Sequence, residues 1–366
     1  MKVEQYLRAT LREMAGQARG VDELARTAML RGVRMRRRRR LAAVSGAVAL
    51  LLAALTPFVL KRTPSPEIAI GPTASASPSR AASSGQLSEV EPRGLAGGWV
   101  LAGVHNWVLD RGSNTYTRLR AQQKDESRYL ASPAGGLAAI VSRDAEGSQD
   151  LIDFVTTAGV PVRTVRIASN GVYQWSPQGD RLLTGVWGAK DPGVSASGFG
   201  FAVIEARTGH ISDHRVETQR YDCSMCAFAW SRDGGEVALG IADRRGREAA
   251  ERYAGVQFFD ARNGRPTRAM PLRAMFAGPF SWSPSGRYVI VRPDALSSGY
   301  QIVDTQDFSA RPFPYDAVFV TDGVLLVAEA DQILAIRAED GAVVDRFELS
   351  GGFKGLGATA EFGPPG

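Results

Sequence analysis

Residues 280–291 read FSWSPSGRYVIV: an aromatic pair, a Ser-Pro-Ser-Gly turn and a β-branched run. Near copies stand at 129–141 (YLASPAGGLAAIV), 173–185 (YQWSPQGDRLLTG) and 228–240 (FAWSRDGGEVALG). Aligned on the turn they put Ser132, Ser176, Ser231 and Ser283 in one register, with a weaker version at Thr321, Asp322 and Gly323; the spacings are 44, 55, 52 and 38 residues. A second hairpin falls between these turns, from Asn106 (NWVLDRGSNTYTRL), Leu151 (LIDFVTTAGVPVRTVRI), Phe201 (FAVIEARTGHISDHRV), Val256 (VQFFDARNGRPTRAMPL), Tyr300 (YQIVDTQDFSARPF) and Gln332 (QILAIRAEDGAVVDRFEL). A self-similar period of roughly 40–50 residues built from short strands is the signature of propeller blades. Six hairpins predict an all-β, six-bladed β-propeller over 94–349, followed by a flexible tail over 350–366.

The repetition has a physical reason. A four-stranded blade has two apolar faces and can bury neither alone; radial neighbours bury both, and closing the ring leaves only short edges. Trp175, Trp230 and Trp282 hold one place in their repeats. Each buries roughly 150–250 Å², about 4–6 kcal/mol as an upper bound at 25 cal/mol/Å², so matched register predicts inter-blade core rather than ligand stacking. The Ser-Pro-x-Gly pieces supply the fixed φ and the positive φ of a tight turn.

The Trp-Ser-Pro-x-Gly turns at 175–179 and 282–286, with a degenerate copy at 230–234, resemble the repeats of TolB-type and WD-like propellers over about 255 residues. The Asp usual after the Pro is replaced by Gln178 and Ser285, Trp-Asp dipeptides are absent, and nothing matches the extra N-terminal domain of TolB itself. The resemblance implies the propeller fold and protein binding in the cell envelope.

Charge divides the chain. Residues 1–40 carry twelve basic and four acidic side chains, 41–60 carry none, and of the overall +6 this leaves −2 for the remainder. The large domain is therefore slightly acidic, and nucleic acid is not an expected partner. The run LAAVSGAVALLLAALTPFVL at 41–60 is about 30 Å long as a helix, enough to span a bilayer. Seven arginines (Arg31, Arg34 and Arg36 to Arg40) precede it against Lys61 and Arg62 after it, which predicts a cytoplasmic N-terminus and an extracytoplasmic C-terminal domain at the cell membrane. Residues 61–93, rich in Pro, Ser and Ala, read as a linker. In the cytoplasmic arm, 1–40, Val3, Leu7, Leu11, Met14 and Ala18 form one stripe of an amphipathic helix that needs a partner. The arm resembles in outline those of small single-span regulators that hold a sigma factor, without their Cys/His zinc signature.

Few residues point to chemistry. Cys223 and Cys226 in YDCSMC are the only cysteines; in an exported domain they are candidates for a local disulfide, with thiol exchange and zinc as alternatives. His210 and His214 lie on an expected strand, about 13 Å apart at 3.3 Å per residue, which is poor spacing for one ion. Asp144, Glu146 and Asp150 form a loosely calcium-like loop that reads as solvated. No G-x-S-x-G, Walker or H-E-x-x-H pattern occurs. No enzyme, cofactor or metal is expected. Second-to-third-strand loops and blade-to-blade loops share one propeller face, and the long ones are 186–199, 219–227 and 241–254. They make Trp187, Arg244, Arg245, Arg247 and Arg252 the candidate binding face. The expected function is a membrane-anchored propeller that binds an envelope protein or glycan; the alternative is a transmembrane regulator acting through its arm.

Overall fold

The computed structural model describes residues 85–87, 94–120, 127–144, 148–187, 199–217, 221, 228–243, 253–293 and 299–366. All belong to one compact unit, Pro78–Gly366. The arm, the apolar run at 41–60 and most of the linker lie outside the described residues.

A short strand, β1 (Gly85–Leu87), comes first, and blade 1 then begins with β2 (Val100–Val104), β3 (Trp107–Asp110) and β4 (Thr115–Arg118). Blade 2 is β5 (Arg128–Ala131), β6 (Leu137–Arg143), β7 (Asp150–Thr156) and β8 (Pro161–Ile167). Blade 3 is β9 (Ser169–Trp175), β10 (Arg181–Trp187), β11 (Phe199–Glu205) and β12 (Ile211–Val216). Blade 4 is β13 (Phe228–Trp230), β14 (Glu236–Ala242), β15 (Tyr253–Asp260) and β16 (Pro266–Met270). Blade 5 is β17 (Met275–Phe276), β18 (Tyr288–Arg292), β19 (Tyr300–Asp304) and β20 (Ala310–Phe313). Blade 6 is β21 (Ala317–Thr321), β22 (Val324–Ala328), β23 (Gln332–Arg337) and β24 (Val343–Leu349). Within each blade the consecutive strands pair antiparallel in chain order, and in blades 2 to 6 the first of them is innermost, so all six outer hairpins fall where the second repeat predicts them.

The expected flexible tail is a correction. Strand β25 (Ala360–Gly363) pairs antiparallel with β2 and is the inner strand of blade 1. The five turn copies against six outer hairpins reflect this: the sixth inner strand comes from the far end of the chain. EFGPPG at 361–366 aligns with QWSPQG at 174–179, Phe362 standing for Trp175 and Pro364 for Pro177. Both aromatic residues pair with a leucine of the second strand, Phe362 with Leu101 and Trp175 with Leu182. The linker also departs from expectation, since β1 adds a fifth strand, parallel to β24, at the outer edge of blade 6.

The repeated turn is one structure four times. Ser132, Ser176, Ser231 and Ser283 are buried, and each backbone N–H donates to the carbonyl of the residue five places on. In three copies the serine Oγ also accepts the N–H of that residue, from Arg181, Glu236 and Tyr288 at 2.9–3.2 Å. The glycine three places after each serine has positive φ. At Gly179 (φ 68°) the backbone also passes so close to the neighbouring blade that a Cβ would lie 2.1 Å from Ser132 Oγ. That hydroxyl donates to the Gly179 carbonyl at 2.8 Å.

Trp175, Trp230 and Trp282 are buried between blades, as their register predicts. Trp175 Nε1 donates to Leu130 O and Trp230 Nε1 to Gln174 O, each an inner-strand carbonyl of the preceding blade. Trp282 Nε1 is buried without a hydrogen-bond partner among the described residues. Here the inner strand is interrupted by Gly278 and the 3-10 turn Pro279–Ser281, which breaks the register that aims the other two indoles.

The seam is clamped by Arg111, whose Nη2 donates to Pro133 O at 2.6 Å and to Pro364 O at 2.8 Å, tying the blade 2 turn to the residue after β25. Hydrogen bonds from a charged donor contribute about 1.5–3 kcal/mol each. Arg111→Ala is expected to lower Tm, and a chain ended at Thr359 to lose cooperative unfolding by calorimetry; an unchanged transition in the truncated chain contradicts closure by β25.

Candidate functional site

Antiparallel order puts the ends of the second strands and the starts of the first and third on one face of the ring, the loop face. The Ser-Pro turns and outer hairpin turns lie on the other. Six inner strands surround a central channel. A cavity of about 230 Å³ lies in it, lined by inner-strand residues of five blades, among them Leu130, Gln174, Ser281, Val318 and Glu361.

Two arrangements of Arg, Tyr and Asp stand at the loop-face mouth. In blades 2 and 3, Arg128 lies 5.6 Å over the Tyr173 ring, and the Tyr173 hydroxyl donates to Asp150 Oδ2 at 2.6 Å. Asp150 also meets Ser169 Oγ at 2.5 Å and Arg143 Nε at 3.1 Å. It is buried at the start of β7, so the expected solvated acidic loop is corrected: Asp150 anchors the mouth, whereas Asp144 folds back on the Ser148 and Gln149 N–H groups and Glu146 lies outside the described residues. In blades 5 and 6, opposite in ring order, Arg292 Nη2 donates to the Tyr300 hydroxyl at 3.1 Å beside Asp316. Burial raises the pKa of both tyrosines, and a neighbouring aspartate adds to it. Arg128 forms no ion pair among the described residues and is exposed, so a guanidinium backed by an aromatic ring faces outward, a common protein-contact element.

Deeper, the channel wall carries two related side chains. Gln174 Oε1 accepts from Trp230 N at 2.8 Å and its Nε2 donates to Ala277 O at 3.2 Å, joining blades 3, 4 and 5. Its aligned counterpart, Glu361, accepts from Ala131 N through Oε2, joining blades 1 and 2. Glu361 is half-buried, and loss of solvent around its carboxyl pushes it up from 4.5 to about 8 against that hydrogen bond, which favours the protonated, glutamine-like form near neutral pH.

The predicted site residues fall as follows. Trp187 ends β10 at the loop face, paired with Phe199. Arg244, Arg245, Arg247, Arg252, Cys223 and Cys226 lie outside the described residues; Asp243 and Tyr253, which bracket the arginines, are at this face. Tyr221, within the cysteine loop, is buried on Phe259 at 5.5 Å. His210 is exposed, while His214 packs on Phe201 and against Gly264 of the next blade. Burial lowers the His214 pKa against the hydrogen bond to the Ala261 backbone. Among the described residues no group of three His, Cys, Asp or Glu could hold a metal ion. The mouth and Glu361 are the functional features that motif reading missed. The matched copy QWSPQG/EFGPPG carries the signal for Glu361; nothing local marks Arg128 or Arg292.

No protein-family model matches the sequence, and no curated protein does. Among solved structures, hydrazine synthase from Kuenenia stuttgartiensis is 14% identical, with 61% of this chain and 70% of that one covered and a TM-score of 0.36. TolB from Acinetobacter baumannii is 15% identical over 67% of this chain and 62% of its own (TM-score 0.38). An acylaminoacyl peptidase from Pyrococcus horikoshii is 8% identical over 69% of this chain and 41% of its own (TM-score 0.40). The match thus spans less than two thirds of the TolB and peptidase chains. At these identities neither family nor activity transfers.

A carboxyl raised from 4.5 to about 8 binds a proton in the folded chain that the unfolded chain has released. Its contribution to stability is therefore complete below about pH 4.5 and is lost as pH rises to about 8. Glu361→Gln is expected to gain Tm over wild type progressively between these limits; parallel Tm-against-pH curves for the two proteins contradict this assignment.

Proposed function

We propose that the chain is a polypeptide-binding propeller that takes its partner at the loop face, around the channel mouth. The observation that carries this is the pair of Arg-Tyr-Asp arrangements on opposite sides of one opening, with Arg128 in no ion pair among the described residues and backed by a ring. The strand ends that flank the arginine-rich segment 244–252 and residues 188–198, Ala242 with Tyr253 and Trp187 with Phe199, lie at that same face, which supports the expectation that Trp187, Arg244, Arg245, Arg247 and Arg252 belong to the binding surface. The charge-free run at 41–60 supports membrane anchoring, with the propeller displayed outside the cytoplasm; among the described residues no helix is long and apolar enough to cross a membrane. A glycan partner and signalling through the arm are the rival readings, the first tested below and the second by pull-down with residues 1–40.

Photo-crosslinking amino acids placed at Arg128 and Trp187 in intact cells are expected to give a discrete protein adduct, and the same probe at Asn263 or Phe308 on the opposite face to give none. Equal labelling of both faces, or retention on cell-wall glycan without a protein adduct, overturns the reading.

A further inference from the structure

The channel cavity has an uneven character. Asp316 and Glu361 are its acidic lining residues and no basic residue lines it. Pro279, Phe280, Val318 and Phe362 give it apolar walls. At the level of Gln174, the aligned inner-strand positions in blades 2, 4 and 5 are Leu130, Ala229 and Ser281, so Glu361 is the ionisable member of this set. Gln174 uses both amide atoms in hydrogen bonds to neighbouring blades. Glu361 uses Oε2 on Ala131 N, and Oε1 has no hydrogen-bond partner among the described residues. An apolar-walled cavity that holds a carboxyl with one oxygen to spare is complementary to an alkyl stem carrying a cation.

We propose that the channel binds an alkylammonium group, either a lysine side chain of the bound polypeptide or a free aliphatic amine, with Glu361 as its counter-ion and Pro279, Phe280 and Val318 around the methylenes. The lysine form rests on the polypeptide-binding reading above; the free-amine form does not. The ammonium meets the spare oxygen and adds the charge that a buried carboxylate lacks, so binding ionises Glu361 and releases its proton. Asp316, on the neighbouring blade 6, adds attraction but is shared with Arg292 and Tyr300. Tyr173 is the other titratable lining group and is held by Asp150. Arg111 lies at the far end of β25, engaged with Pro133 and Pro364.

The probe is n-butylammonium chloride, titrated into the full chain in detergent by calorimetry, with n-butanol as the uncharged isostere. The butylammonium Kd is expected to tighten about tenfold per pH unit as pH rises toward 8 and then level, since the free carboxyl titrates there while the amine stays protonated up to about pH 10. Glu361→Gln, which keeps the shape that Gln174 holds in blade 3, is expected to weaken butylammonium at least tenfold at pH 8 and leave butanol unchanged. Butanol binding as tightly as butylammonium, a flat pH profile, or an unaffected Glu361→Gln variant overturns the proposal. Should that variant not fold, the wild-type pH profile and the butanol comparison decide. Nα-acetyl-lysine methylamide separates the sources: affinity equal to or above that of butylammonium assigns a polypeptide lysine, and binding of butylammonium alone assigns a free amine. Butylammonium binding without loop-face crosslinks removes the polypeptide reading and leaves the cation site standing.

Discussion

The pairing of β25 with β2 is the constraint on which the molecule depends. Blades 2 to 5, and the four antiparallel strands of blade 6, arise from contiguous chain, and blade 1 is completed across more than 250 residues. Without it, β2 presents an unpaired inner edge and blades 1 and 2 face one another across a missing strand. With it, apolar clusters are shared by every neighbouring pair of blades: Val108 with Ile140, Ile152 with Ile204, Phe201 with Trp230, Phe258 with Phe276, Ile302 with Phe319, and Leu101 with Phe347. Loss of one seam exposes two sheet faces at once, which is why a ring is more cooperative than an open stack.

Closure also sets the electrostatics of the channel. The strand brought in from the far end carries a glutamate where the aligned strand of blade 3 carries a glutamine. Both accept a backbone N–H of the next blade. The carboxyl tolerates this place because burial keeps its proton on, and the single hydrogen bond to Ala131 is too little to reverse that. One atom of difference between Gln174 and Glu361 separates a structural bridge, satisfied at both ends, from a group with an unused oxygen in an acidic cavity.

Much of this was legible in the sequence, and the exceptions have causes. The Ser-Pro-x-Gly turn and the outer hairpin recur because each blade solves the same burial problem, so blade number and the inward Trp residues follow from local pattern. The closing strand was hidden because two substitutions, Phe362 for Trp and Gly363 for Ser, erase the most conspicuous letters of the repeat while keeping Pro364 and Gly366. Asp150 read as a loop acid because three acids in RDAEGSQD look solvated; its burial depends on Ser169 and Tyr173, on the next blade. The mouth as a whole was not legible, since Arg128 and Tyr173 come from separate blades, as do Asp316 and the Arg292–Tyr300 pair, and each set meets only through the ring. Trp187 is placed at the expected face by the register of β10 with β11.

The order of synthesis adds a consequence. A ribosome delivers blades 2 to 6 complete, while the strand that blade 1 needs emerges after all of them. Until Gly363 clears the exit tunnel, the nascent ring is a horseshoe with one raw β-edge at β2 and an unroofed aromatic face around Trp99 and Phe280. A chain of this design therefore finishes folding only once β25 has emerged behind every other strand, and its most aggregation-prone interval is set by elongation rate rather than by the stability of any blade.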